Sequence, residues 1–112
     1  MSVIDFDDFL AVDVRVGTVL RAEIFHEVKR PAIKLWVEFG GAIGVKKSSA
    51  QITDLYTPET LVGRQVLAVV NFPPKQIANF MSEVLVLGLH DEAGRVVLVG
   101  PQSAVPNGQR LH

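Results

Sequence analysis

Val69-Val70-Asn71-Phe72-Pro73-Pro74-Lys75, followed by Ile77, Phe80, Met81, Ser82-Glu83 and Val84-Leu85-Val86-Leu87-Gly88, reads as a buried strand, a tight apolar connection and a second buried strand. Pro73 has no amide hydrogen and both prolines fix φ, so the first strand must stop there. The connection belongs on the surface, because buried irregular backbone leaves polar groups unpaired. Yet it carries Phe72, Ile77, Phe80 and Met81, which a solvated loop does not need. Such side chains either fold back onto the core or await a partner. Taken singly each reads as core; as a set they point to a partner.

Working outward, Asp5 caps a short helix whose Phe6, Phe9 and Leu10 fall at i, i+3 and i+4. Val12, Val14, Val16, Leu20, Ala22 and Ile24 then take alternate positions of one long strand with a single buried face, and Gly17 marks a bend or bulge. In the next strand Ile33, Leu35, Val37 and Phe39 share one face, which puts Lys34, Trp36 and Glu38 on the other. Trp36, the only tryptophan, is either covered by a loop or subunit or serves as a contact platform. Gly40-Gly41 turns the chain into a third strand from Ile43 and Val45. Thr57 and Pro58 start a short helix that Gly63 ends. A fourth strand runs Gln65 to Phe72 and a fifth from about Glu83 to Leu89, with a hairpin turn at Asp91–Gly94 into Val96–Val99. Five main strands with a helix between the third and fourth is the order of an all-β OB-fold barrel, here with a short N-terminal helix, a short internal helix and a C-terminal extension. Residues 1–112 read as one domain.

Composition narrows the chemistry. Without cysteine there are no disulfides, thiolate metal sites or cysteine catalysis. The acidic start, Asp5, Asp7 and Asp8, is unlike a signal peptide, and no apolar run spans a bilayer, so a cytoplasmic location without membrane insertion is expected. Net charge is −1, whereas dedicated nucleic-acid binders usually carry a basic excess. The balance is uneven, however: residues 21–81 hold eight bases against five acids, enough for a local positive patch. In Gly40–Ser48, Val45 stands where a phosphate loop needs glycine immediately before the lysine. His26, His90 and His112 lack zinc-ligand spacing, and Ser48, Ser49 and Ser82 lie in no nucleophile motif. No catalytic residue, metal or cofactor is expected, which leaves binding. An OB barrel commonly binds on its second and third strands and the adjoining loops, which groups Lys34 and Trp36 with Lys46 and Ser48.

Asn71-Phe72-Pro73-Pro74-Lys75 and Ser82-Glu83-Val84-Leu85 resemble the second half of the tRNA-binding domain superfamily. Asp13–Val19, Pro31–Leu35 and Lys47–Thr53 resemble its first half. Ile43–Ile52 and the Asn-Phe-Pro-Pro run are most similar to its CsaA branch, whose members are cytoplasmic bacterial chaperones associated with protein export. The resemblance adds Asn71 and Ser82 as polar positions and Phe72 and Phe80 as loop positions. Asn71 and Ser82 suit a ligand contact and a structural turn equally.

One departure matters. Many superfamily members place a basic residue before the serine matched by Ser82, and this chain has Met81, after a neutral Gln76–Phe80. Apolar contacts in place of phosphate contacts favour polypeptide, since Met adapts to varied side chains. The resemblance thus implies a non-catalytic chaperone for unfolded or precursor polypeptides, working as a homodimer and delivering to the secretion ATPase SecA. Its expected site is Lys34, Trp36, Ser48, Asn71, Phe72, Phe80 and Ser82. The rival expectation is a tRNA-binding module using Lys34, Lys46, Lys47 and Lys75. The apolar helix and a tail from Val99 to Leu111, which needs a surface to order on, are the physical support for the homodimer.

Overall fold

The computed structural model describes residues 1–112. Helix α1 (Phe6–Leu10) leads into a twelve-residue strand β1 (Val14–Phe25), then β2 (Ala32–Glu38) and β3 (Val45–Ala50). Helix α2 (Pro58–Leu61) precedes β4 (Gln65–Val69), and five short strands follow: β5 (Lys75–Ile77), β6 (Phe80–Ser82), β7 (Leu85–Val86), β8 (Gly88–His90) and β9 (Val96–Leu98). The main sheet is antiparallel in the order β3-β2-β1-β4-β7. The amides of Glu83 and Val84 both donate to Lys47 O, at 2.7 and 3.2 Å, and Lys47 N donates to Glu83 Oε1 at 3.0 Å. The segment that continues into β7 is thereby tied to β3, which brings the two ends of the curled sheet together in an OB-like barrel. No helix is long and apolar enough to cross a membrane.

The interior is filled by Val19, Ile33, Leu35, Val37, Phe39, Ile52, Leu61, Val66, Ala68 and Val84. Each of these side chains except Ala68 contributes roughly 1.5–3 kcal/mol by leaving water. Three residues of β2 supply much of this face, as their alternation requires. Thr57 caps α2 through its side chain, with Pro58 in the first turn and Gly63 at φ +89 just beyond.

Strand β1 departs from the single face its alternation suggests. Its register against β2 slips between Val19 and Arg21, a bulge with Leu20 as the extra residue. Before the bulge, Val14 and Val16 lie opposite Val69 and Leu67 and are buried on the outside of the barrel. Val19, opposite Val37, enters the interior just before the bulge. After it the phase reverses, so Ala22, opposite Leu35, packs against the interior while Arg21, Glu23 and Phe25 take the outer face with Trp36, Lys34 and Ala32. Gly17 is not the bend. A Cβ there would sit 2.6 Å from Val37 Cγ1 and 2.9 Å from Glu38 O, so glycine permits close packing of β1 on β2.

The C-terminal tail covers Val14 and Val16. Gly108 N donates to Val16 O at 2.8 Å, Val16 N to Gln109 O at 3.1 Å and Leu111 N to Val14 O at 2.8 Å. The tail therefore orders on β1 of its own chain, in line with β2, and does not need a partner for this. Asp13 fastens the arrangement. Its carboxylate accepts from Arg15 Nε at 2.7 Å and pairs with Arg110 at 3.5 Å, while Arg15 Nη1 donates to Gly108 O at 3.0 Å. The hydrogen bond from Arg15, aided by the two guanidinium charges and opposed by partial desolvation, holds the Asp13 carboxyl below its ordinary range. Two further differences concern strand ends. The Phe72–Ser82 connection contains the hairpin β5–β6, and the expected fifth strand is divided at Leu87 into β7 and β8.

Candidate functional site

The hairpin β5–β6 lies against the outer face of the barrel, over β3. Ser82 Oγ accepts from Ser49 N at 3.3 Å, fixing the end of β6 to β3. Phe80 is the anchor. Its ring meets Phe25 and Trp36 edge-on, each at 5.6 Å, and it is only 6% exposed. Phe25, Ala32 and Phe80 form a second buried cluster, with Val28, Trp36 and Ile77 packed around it. Each aromatic pair is worth about 0.5–1.5 kcal/mol beyond its burial.

Cations surround these rings. Lys34 Nζ stands 4.8 Å from the Phe25 centroid and 5.5 Å from that of Phe80, while Lys47 Nζ is 5.2 Å from Phe80. The Arg21 guanidinium covers Trp36 at 4.5 Å. Such contacts give about 0.5–1 kcal/mol each at exposed sites. Two of the three cations also have acidic partners: Lys34 approaches Glu27 Oε1 at 3.8 Å, and Arg21 pairs with Glu23. The Lys47 ammonium forms no salt bridge.

Beside this cluster runs a groove with two bays. The larger, about 360 Å³, is lined by Ser49, Phe72, Pro73, Lys75, Ile77, Ser82, Glu83, Val84 and Leu85. The smaller, about 260 Å³, is lined by Val28, Arg30, Ala32, Ser49, Gln51 and Ile77. They meet at Ser49 and Ile77. Phe72 is 51% and Leu85 49% exposed, so the larger bay has apolar walls open to solvent. The Ser82 hydroxyl accepts one main-chain N–H and retains its own proton to donate. The groove can therefore take an apolar side chain and hydrogen-bond a neighbouring carbonyl.

Among the expected site residues, Phe72, Ser82 and Lys75 meet in the larger bay. Lys34, Trp36, Phe80 and Lys47 meet in the aromatic cluster. Ser48 is corrected. It lies opposite Leu35, is 2% exposed and sits inside the barrel; its neighbour Ser49, opposite Lys34, lines the groove instead. Lys46 lies opposite Val37, on the other face of β3 from Lys47. Asn71 uses both ends of its amide structurally, with Oδ1 accepting from Asp13 N at 3.0 Å and Nδ2 donating to Ala11 O at 2.8 Å. Phe80 is too covered to act as an open platform, and truncating it would test packing before binding.

Sequence reasoning missed Ser49 and Leu85. Counting alternation from Lys34 and Trp36 would have found Ser49 had the β2–β3 register been known. No signal in the sequence separates Leu85 from its buried neighbour Val84.

Comparisons with known proteins agree with this architecture. Residues 14–110 match the family model described as "Putative tRNA binding domain". The crystal structure of chaperone CsaA from Bacillus anthracis is 54% identical, covers 99% of this chain and 100% of that one, and superposes with a TM-score of 0.91. CsaA chaperone protein from Picrophilus torridus is 47% identical over 98% of this chain and 100% of its own, with a TM-score of 0.90. Methionine–tRNA ligase of Chlorobium luteolum is 40% identical over 108 residues, 96% of this chain. This chain spans only 15% of that ligase's length. With the family model matched across β1 to the tail and the fold shared from end to end, the chain belongs to the tRNA-binding domain family and is CsaA-like.

Proposed function

We propose that this chain is a non-catalytic chaperone that binds exposed segments of unfolded or precursor polypeptides and keeps them competent for export. The groove between β3 and the β5–β6 hairpin is the binding site. The observation that carries this reading is the make-up of its larger bay: apolar walls from Phe72, Ile77, Val84 and Leu85, with the hydroxyl of Ser82 available between them. Apolar pockets beside a hydroxyl that can donate to a main-chain carbonyl suit polypeptides of varied sequence. The similarity to CsaA chaperones supports the same reading. The protein acts in the cytoplasm and hands its clients to SecA. It works as a homodimer through α1, which buries none of its own residues and leaves Phe6 69% exposed.

A second reading, tRNA binding, is favoured by the relation to methionine–tRNA ligases and by Lys47 and Lys75 near the groove. With Lys34 paired to Glu27 and Lys46 on the opposite face, two lysines remain for phosphates. That predicts a shallow salt dependence, a log–log slope of about −2. Fluorescence anisotropy against a labelled unfolded precursor segment and labelled bulk tRNA, across a salt series, separates the readings. Polypeptide binding that persists in salt supports the chaperone. Tight tRNA binding without a polypeptide signal overturns it.

A further inference from the structure

The C-terminal half of β1 has a sheet edge with no strand on it. β4 pairs with β1 from Val14 to Thr18. The ladder ends where Val19 N donates to Arg64 O at 2.9 Å and Gly63 N to Val19 O at 2.8 Å. β2, on the other side, continues to Phe25. From Leu20 onward β1 therefore has one neighbour only.

Hydrogen-bond parity fixes which groups face the open side. Lys47 bonds Glu83 and Val84, and Ser49 N bonds Ser82 Oγ, so both residues of β3 turn their main chain away from β2. Antiparallel pairs alternate, so Trp36 and Lys34 opposite them turn theirs toward β1, where they meet Arg21 and Glu23. Ala22 and Ile24 consequently aim N–H and C=O outward, and neither has a main-chain partner beyond the strand ladder. The bulge at Leu20 produces this reversal, since Val14 and Val16 before it bond the tail on the β2 side.

We infer that this edge is a second polypeptide site, where an extended segment of an unfolded chain adds as a strand alongside Leu20–Phe25. The inference rests on the polypeptide-binding reading above. Outward main-chain groups complement any extended chain regardless of its sequence. Exposed Leu20, Ile24 and Val62 flank the edge with apolar surface. Arg21 and Glu23 neutralise each other, so the edge has no preference of charge. A second copy of this chain fits less well. Two outward residues and three apolar side chains fall well short of the roughly 800 Å² per partner that a stable dimer buries. An added strand would also set one row of its side chains beside Arg21 and Glu23, on the outer face that carries Trp36.

The test is residue-resolved amide exchange of the full chain, with and without reduced, carboxymethylated α-lactalbumin as a permanently unfolded probe. The amides of Ala22 and Ile24 should slow at least about tenfold with the probe, while those of Arg21 and Glu23, already bonded to β2, stay unchanged. Slowing confined to Ser49, Ser82 and Leu85 would leave polypeptide binding standing and overturn the edge. Slowing of Ala22 and Ile24 with protein concentration alone would assign the edge to a second copy and equally overturn it. No slowing anywhere, with no anisotropy change, would overturn the polypeptide reading itself and this inference with it.

Discussion

The barrel interior and the cluster under the β5–β6 hairpin lie on opposite faces of β2, and they are built differently. The interior is closed, fully apolar apart from Ser48, and assembled from strands and α2 together. The outer cluster has three buried residues, Phe25, Ala32 and Phe80, with Trp36 half-buried and cations around its rim. One face makes the fold stable. The other makes a three-residue strand rigid enough to form one wall of a groove. The difference teaches that Phe80 and Phe72, close in sequence and alike in chemistry, are placed oppositely: Phe80 is buried and anchors the hairpin, whereas Phe72 is half exposed on the wall of the groove proposed as the binding site.

If that division holds, substitutions should separate into a graded series. Leu35→Ala, in the closed interior, should cost about 4 kcal/mol and lower the thermal midpoint of the whole domain. Phe80→Ala should cost somewhat less, about 3 kcal/mol, because its cavity opens to solvent and can relax. Its distinctive sign should be early loss of amide protection at Lys75–Ser82 while β2 stays protected. Equal loss across both regions would merge the two clusters into one.

Asp13 offers a pH handle on the barrel that leaves the groove alone. Its folded carboxyl titrates below the ordinary value, so its contribution is fully present above about pH 4 and lost as pH falls through the lowered value. Asp13→Asn should therefore lower stability at neutral pH, and the gap to the parent should close on acidification in paired melting curves. Ala78 gives the smallest effect. It occupies the turn of the hairpin at φ +51, where a Cβ is disfavoured. Ala78→Gly should stabilise by about 0.5 kcal/mol, read by chemical denaturation. A loss of stability would show that the turn is unstrained.

Much of this was legible in the chain because the relevant signals are local. The Asp5 and Thr57–Pro58 helix starts, the alternation of Ile33, Leu35 and Val37, and the Asp91–Gly94 turn each depend on a few neighbouring residues. The errors came from long-range pairing. The bulge at Leu20 reverses the faces of β1, and alternation alone cannot report one inserted residue. The choice of Ser48 over Ser49 is the same parity problem on β3. The surface on which the tail orders is invisible in the sequence, because nothing local shows that Gly108 and Leu111 bond β1. Asn71 could be recognised as a marked position, but its clasp on Ala11 and Asp13 spans about half the chain.

The most direct test of the groove uses its two open apolar walls. Phe72→Ser and Leu85→Ser combined should leave the melting temperature nearly unchanged, since both side chains are about half exposed. The same variant should weaken binding of a labelled unfolded precursor segment by about tenfold or more. Unchanged affinity in this folded double variant would contradict the account, placing polypeptide binding away from the groove.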